Sequence, residues 1–138
     1  MFQNMSCILY KHNFIKSTFQ KAIIEREREF PTGLQTEVVN FAIPHTDVEH
    51  IQKPFISIVR PKNNIRFIQM GTTDMEIDVG IIFILGIKDS SEQVGMLSLI
   101  MEKIQNISFK KEINQSKSKE EFENIVRKYL GGVNYEYK

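Results

Sequence analysis

The segment VGIIFILGI, residues 79–87, constrains the fold more than any other part of the chain. It is nearly all apolar and β-branched, and it has only about half the length that a membrane-spanning helix needs. Such a run is typical of a strand that is buried on both faces, and a sheet of this kind carries helices on both sides. The segment therefore predicts the central strand of a layered fold.

Apolar residues at helical spacing predict one helix before this strand and two after it. Residues 13–29 form the first helix, which Pro31 and Gly33 terminate. Residues 89–104 open with the helix-start sequence Asp-Ser-Ser, and residues 118–131 open with a capping box and end at a glycine. The positions of the second helix that we expect in the core are Val94, Leu97, Ile100, Met101 and Ile104.

Shorter runs predict three further strands. They cover residues 37–43, which end at Pro44, residues 55–60, and residues 65–70. The order helix, strands, central strand, helix, helix indicates an α/β (α+β) fold. We expect a mixed central β-sheet with helices packed on both faces, in a single three-layer domain over residues 1–138.

The overall charge argues against two classes of partner, and the cysteine count excludes an internal disulfide. The 18 basic and 17 acidic residues give a net charge of +1, so no overall field favours nucleic acid or acidic lipid. The single cysteine, Cys7, excludes an internal disulfide and fits a reducing compartment. The first residues lack the order of a secretory signal. These observations predict a cytoplasmic domain with no nucleic-acid partner and no direct membrane insertion.

The segment FAIPHTDVEH, residues 41–50, carries the densest chemistry of the chain. His45 directly follows a predicted strand, where α/β sheets usually place ligands, and Pro44 stiffens the approach to it. A neutral imidazole can attack a phosphoryl or acyl centre if one group orients it and another holds the developing negative charge. Arginine suits the second task, and Arg26 and Arg28 of the segment EREREF are the candidates.

The sequence EREREFPTGL followed by AIPH resembles the enzyme IIA domain of the fructose–mannitol class. These domains are phosphocarriers of the bacterial sugar phosphotransferase system. Family members carry an arginine–glutamate pair, then a threonine, then a short strand closing in A-I-P-H, whose histidine accepts the phosphoryl group. The segments FPTGL, TDVEH and KPFISIVRPK are most similar to the galactitol-type branch.

The resemblance implies that His45 is the phosphoryl acceptor. It implies that Arg26 stabilises the phosphoryl charge, because Arg26 stands six residues before Thr32, as in the family. Arg28 is the alternative if the loop is aligned differently. Mannitol-type members have a second active-site histidine at the start of the central strand. This chain has no histidine at that position, so His50 is the candidate pocket partner.

Thr46 and Asp47 each have two interpretations. Thr46 either donates a hydrogen bond to a bound phosphoryl oxygen or caps the turn after the strand. Asp47 either orients an imidazole or caps the same turn. We also expect an apolar rim around the histidine, for which Phe30, Leu34 and Ile51 are candidates, although each fits the core equally well.

The resemblance implies that phospho-HPr donates a phosphoryl group to His45 and that a cysteine of a cognate enzyme IIB accepts it, for uptake of a galactitol-like polyol or another sugar. No metal or organic cofactor is implied. A regulatory domain that signals by its phosphorylation state and an inactive interaction module of the same fold remain alternatives. A metal site at His45, Asp47, Glu49 and His50 is a further one, but its spacing matches no recognised pattern.

The N-terminus is expected to be shortened, because family domains usually begin with a strand and a helix before the segment LYKHNFIKSTF. Loss of a first strand would expose one sheet edge, and exposed edges favour pairing with another chain. The sequence does not fix the oligomeric state.

Overall fold

The apolar segment of residues 81–86 is the middle strand of a five-stranded mixed sheet. The computed structural model describes residues 1–131 and 135–137. Its strands are β1 (Gly33–Leu34), β2 (Phe41–Ala42), β3 (Phe55–Val59), β4 (Ile65–Ile68), β5 (Glu76–Val79), β6 (Ile81–Gly86) and β7 (Tyr135–Tyr137). Their order in the sheet is β1-β2-β6-β3-β7, and β4 and β5 form a separate antiparallel hairpin. Because β6 runs parallel to β2 and antiparallel to β3, the predicted mixed sheet is confirmed.

Helices cover both faces of this sheet. They are α1 (Phe2–Lys11), α2 (Phe19–Glu29), α3 (Ser90–Ile104), α4 (Ile107–Gln115) and α5 (Lys119–Leu130). Successive side chains of a strand point to opposite faces. Ile82 and Ile84 therefore join the core formed with α1 and α2, whereas Ile81, Phe83 and Leu85 join the core formed with α3, α4 and α5. The predicted three-layer arrangement is confirmed.

Of the first predicted helix, residues 13–29, only the part from Phe19 onward is helical, and this part is α2. Asn13 has a φ of 63°, in the left-handed region, where asparagine is tolerated better than most residues. The chain then bends at Phe14, and Ile15 forms an antiparallel bridge with Ile51. The helix that precedes this turn, α1, was not predicted.

Two predicted strands are shorter than expected, and Asn40 contacts the point at which each is cut short. In the run of residues 37–43 only β2 is a strand, since the Oδ1 atom of Asn40 accepts a hydrogen bond from the Thr36 N–H at 3.0 Å and closes a turn. The run of residues 79–87 is interrupted at Gly80, whose N–H donates to the Asn40 carbonyl at 3.0 Å. β3 and β4 lie within the strands predicted for them.

The second and third predicted helices are confirmed as α3 and α5. The carboxylate of Asp89 accepts a hydrogen bond from the Ser91 N–H at 2.9 Å, and the Ser118 hydroxyl accepts one from the Glu121 N–H at 3.1 Å. Between them lies α4, which was not predicted and which Asn106 caps.

One prediction about burial is wrong. Val94, expected in the core, is 65% exposed near the start of α3, whereas the buried Ile100 and Ile104 lie in its second half. On α4 the side chain of Lys110 is buried, and its ammonium contacts the Glu37 carboxylate. No helix of the described residues has both the length and the apolar character that a membrane span requires.

Candidate phosphoryl-transfer site

The backbone of His45 is fixed by the neighbouring strand β6. The N–H of Leu85 donates to the Pro44 carbonyl at 3.1 Å, and His45 forms a parallel bridge with Leu85. Pro44 is buried and His45 is half-buried at the end of β2. The strand therefore holds the imidazole at the edge of the core with one side open to solvent, as its position after the predicted strand indicated.

The ring of His45 is oriented by a main-chain carbonyl. Its Nδ1 atom lies 2.8 Å from the oxygen of Ile43. A carbonyl can only accept a hydrogen bond, so Nδ1 carries the proton and the lone pair of the neutral ring is on Nε2. Burial lowers the pKa of His45, and the Ile43 hydrogen bond partly opposes that effect. The arrangement favours a neutral imidazole whose Nε2 is available as a nucleophile.

Arg26 reaches the same site from α2. Its Nη1 atom donates to the Asp47 Oδ1 at 2.9 Å, and its guanidinium stacks over the ring of Phe30, 5.1 Å from the ring centroid. Arg26 lowers the pKa of His45 and Asp47 raises it, so both charges act on the imidazole. The Nε atom of Arg26 is buried and has no hydrogen-bond partner among the described residues.

Arg28 lies on another side of the helix. Two residues correspond to a rotation of about 200° around a helix axis. Arg28 is exposed and borders a groove of about 360 Å³ with Met1, Phe2 and the strand β4. The structure therefore brings Arg26, and not the alternative Arg28, to the side of α2 that faces His45.

A buried hydrogen-bond network links the end of α2 to the strand before His45. The Thr32 N–H and hydroxyl donate to the two carboxylate oxygens of Glu27 at 2.7 and 2.6 Å. The Thr32 Oγ1 atom in turn accepts from the Ile43 N–H at 3.2 Å. Burial raises the pKa of Glu27, and the hydrogen bonds from Thr32 partly offset the increase. Thr32 and Glu27 thus fix the residue whose carbonyl orients the His45 ring.

In the sequence analysis Thr32 served only to align Arg26, and its hydrogen bonds to Glu27 and Ile43 were not predicted. The available signal was the pairing of a helix-terminal glutamate with a threonine five residues later, which the EREREFPT segment contains.

Thr46 lies in the turn after His45. Its hydroxyl donates to the Asp47 carbonyl at 2.9 Å, and its own carbonyl accepts from the Gln93 Nε2 at 2.9 Å. These contacts favour the turn interpretation of Thr46. Gln93, on the first turn of α3, is a site neighbour that sequence reasoning missed, because only the apolar positions of that helix were considered.

His50 contacts the other end of α2. Its Nδ1 atom lies 2.8 Å from the Thr18 hydroxyl, and its Nε2 atom lies 3.5 Å from the Glu49 carboxylate. Thr18 and Arg26 are eight residues apart, about 12 Å along a helix axis. The described ring contacts of His50 therefore do not include His45, and its predicted place as a pocket partner remains a prediction.

The expected apolar rim is only partly correct. Phe30 is 55% exposed beside Arg26, but Ile51 is buried in the core formed with α1 and α2, where its bridge to Ile15 holds it. Leu34 is half-buried against the opposite core. Val94, on the helix turn that carries Gln93, provides exposed apolar surface that the sequence analysis assigned to the core.

The described residues contain no group of three or more His, Cys, Asp or Glu side chains arranged to hold a metal ion. The residues considered for such a site do not converge on one point. Asp47 pairs with Arg26, and Glu49 lies near His50.

The fold and this site define a three-layer α/β domain that presents a histidine of lowered pKa beside an arginine paired with a carboxylate. The family described as phosphoenolpyruvate-dependent sugar phosphotransferase system, EIIA 2, matches residues 1–129. The chain belongs to that family, as the resemblance of its motifs indicated.

Among characterised relatives, the chain is similar to the galactitol-specific EIIA component of Escherichia coli K12. The two are 32% identical over 91 residues, which cover 66% of this chain and 60% of the relative. The match thus spans less than two thirds of the relative's length.

Solved structures show the same fold. The IIA mannitol structure from Escherichia coli superimposes with a TM-score of 0.65 at 16% identity, covering 86% of this chain and 80% of that one. IIA mannitol in its complex with phosphorylated IIB mannitol, also from Escherichia coli, gives a TM-score of 0.64 at 17% identity, with 87% and 80% coverage.

Proposed function

We propose that this protein is a phosphocarrier that accepts a phosphoryl group on the Nε2 atom of His45 from phospho-HPr and passes it to a cysteine of a cognate enzyme IIB. The observation that carries the proposal is the hydrogen bond between the His45 Nδ1 and the Ile43 carbonyl, which leaves Nε2 unprotonated. Membership of the EIIA 2 family and the similarity to a galactitol-specific EIIA component support it.

Each transfer exchanges one bond to phosphorus for another. The lone pair of His45 Nε2 attacks phosphorus while the bond to the donor's imidazole breaks, and the electron pair returns to the donor nitrogen. The proton on Nδ1 stays in place, and the Ile43 carbonyl stabilises the positive charge that the ring acquires. In the second step a thiolate of enzyme IIB attacks phosphorus, and the P–N bond electrons return to Nε2.

Arg26 neutralises charge on the transferring group. Transfer between two protein nucleophiles depends mainly on positioning and on charge stabilisation. The guanidinium of Arg26 is the cation beside His45, and its planar fork matches phosphoryl oxygens. Thr46 and Gln93 fix the turn that follows the histidine. The proposed chemistry uses no metal and no organic cofactor.

Both partners have to approach the open side of His45. Phe30 and Val94 offer exposed apolar surface on the α2 and α3 sides of the site. Such side chains suit the centre of a transient protein interface, which is depleted of charge and enriched in aromatic residues. We place the protein in the cytoplasm with these partners. The similarity to a galactitol-specific component favours a polyol as the transported sugar.

The test is phosphoryl transfer in a reconstituted system. We expect incubation with phosphoenolpyruvate, enzyme I and HPr to add one acid-labile phosphoryl group, detected by intact mass. His45→Ala should abolish the addition, whereas His12→Ala, at an exposed position after α1, should retain it. A folded wild-type protein that gains no phosphoryl group would contradict the proposal and support the inactive interaction module.

A further inference from the structure

We propose that Asp47 is a positioning residue that holds Arg26 until a phosphoryl group arrives and is then released from it. The inference rests on the proposed function, since it concerns the charge that Arg26 meets before and after transfer. In the resting protein the Asp47 carboxylate neutralises the guanidinium that the phosphoryl group needs, through one contact with Nη1. Asp47 therefore acts through Arg26 on the chemistry at His45.

The carboxylate of Asp47 has no local structural task. Asp47 precedes a short 3₁₀ turn, Val48–His50, but its side chain makes no capping hydrogen bond there. The capping interpretation of Asp47 is therefore wrong. Its described partner is the Nη1 of Arg26, through one oxygen at 2.9 Å.

The pair is also easily separated. The Asp47 side chain is 70% exposed and that of Arg26 is 35% exposed, so solvent and salt weaken their attraction. A phosphoryl group carries more negative charge and three oxygens, and it can engage a guanidinium through two parallel hydrogen bonds. On electrostatic grounds, the phosphoryl group is the stronger ligand for Arg26.

Arg26 retains unused hydrogen-bonding capacity in the resting state. Its Nε atom is buried without a partner among the described residues, and a buried unpaired donor is unfavourable. The single carboxylate oxygen on Nη1 leaves that donor unsatisfied, so Asp47 uses only part of the guanidinium.

The exchange of Arg26 between Asp47 and the phosphoryl group affects both acceptance and release of the phosphoryl group. While Asp47 holds Arg26 through Nη1, the guanidinium is pre-positioned beside His45. Once the phosphoryl group is on Nε2, Asp47 competes for Arg26 and disfavours the phosphorylated state. The competition keeps the phosphoryl group transferable to enzyme IIB.

The first test measures the equilibrium for transfer from phospho-HPr. Asp47→Asn removes the competing charge, so we expect the equilibrium constant for phosphorylation to rise roughly two- to five-fold, the range that an exposed ion pair supports. Glu49→Gln is the matched control, because Glu49 is exposed in the same turn and lies near His50 instead of Arg26. It should leave the constant near the wild-type value.

A second arm asks whether the effect passes through Arg26. In an Arg26→Gln background, Asp47→Asn should no longer raise the constant. If the constant still rose in the Arg26→Gln background, Asp47 would repel the phosphoryl group directly. That result would contradict the proposed exchange of Arg26 between Asp47 and the phosphoryl group.

Nitrogen NMR of the arginine side chains gives a readout that does not depend on turnover. We expect the Arg26 Nε–H signals of wild type and Asp47→Asn to differ in the resting proteins and to coincide once both are phosphorylated. Signals that still differ after phosphorylation would show that Asp47 remains bound, and the inference would be wrong.

The two proposals fail in different ways. If wild type takes up no phosphoryl group, the proposed function itself is wrong. If wild type is phosphorylated but Asp47→Asn behaves like Glu49→Gln, only the exchange is wrong.

Discussion

At the scale of single residues, the environment of His45 sets both its protonation and its reactive atom. Burial lowers the pKa of the imidazole, the Ile43 carbonyl and Asp47 raise it, and Arg26 lowers it. The opposing charges leave burial as the largest influence. The His45 ring is therefore neutral near neutral pH, as the proposed nucleophile requires.

The pH dependence of phosphoryl acceptance follows from these directions. Only the neutral ring accepts, so a lowered pKa shifts the acid limb of the rate profile below pH 6.5, the ordinary value for histidine. Arg26→Gln should move the limb to higher pH, because Arg26 lowers the pKa. Asp47→Asn should move it to lower pH, because Asp47 raises the pKa. Stopped-flow rates and an NMR titration of the His45 ring measure both shifts, and movement in the same direction for the two variants would contradict this account.

At the scale of elements, the end of α2 and the end of β2 are joined by one threonine. The Thr32 hydroxyl donates to Glu27 and accepts from the Ile43 N–H. Thr32 and Ile43 are both buried, so the Ile43 N–H depends on the Thr32 hydroxyl for its hydrogen-bond partner. This contact keeps the strand in the register that presents His45.

Thr32→Val should therefore weaken both the fold and the reaction. Valine has nearly the same shape but leaves the Ile43 N–H without its acceptor, at a cost of about 1–3 kcal/mol in the free energy of unfolding. We also expect slower phosphoryl acceptance, since the Ile43 carbonyl is less well fixed. Denaturant unfolding and transfer rates are the measurements. Thr32→Ser, which keeps the hydroxyl, is the control and should retain the rate better than valine.

Sequence patterns predicted some elements because their signal is local. The central strand was found because residues apolar on both faces fit little else, and α5 was found because Ser118 and Glu121 carry a capping signal. α4 was missed because it is short and interrupted by lysines, one of which, Lys110, is buried only through its tertiary pair with Glu37.

Part of the candidate site could likewise be predicted from the sequence, and part could not. His45 and Arg26 follow from a motif, and the structure brings them together. The contacts of His50 with Thr18 and of Gln93 with Thr46 join segments distant in sequence, so no local pattern contains them.

At the scale of the whole molecule, the sheet separates two cores. Phe83 of β6 lies in the core formed with α3, α4 and α5, stacked on Phe41 with ring centroids 6.0 Å apart. Phe41 also stacks on Phe109 of α4 at 6.3 Å. The aromatic stack links the central strands to the outer helices, while Phe30 is exposed beside Arg26.

These two kinds of phenylalanine should separate stability from partner binding. Phe83→Ala is expected to lower the free energy of unfolding by about 3–5 kcal/mol, as large-to-small core changes do. Phe30→Ala should change stability by less than about 0.5 kcal/mol, as surface changes usually do, yet slow transfer from phospho-HPr. Thermal unfolding and transfer rates check both. If the two variants lost equal stability, Phe30 would have a structural role in addition to any role in docking.

The ring of His45 is oriented by the main-chain oxygen of Ile43, and every amino acid has that oxygen. Substitution at position 43 cannot delete the acceptor as long as the backbone path survives. The reactive nitrogen is thus specified by the course of the chain and not by any one side chain. The choice of side chain at position 43 is thereby left to the packing of the core, in which Ile43 is buried.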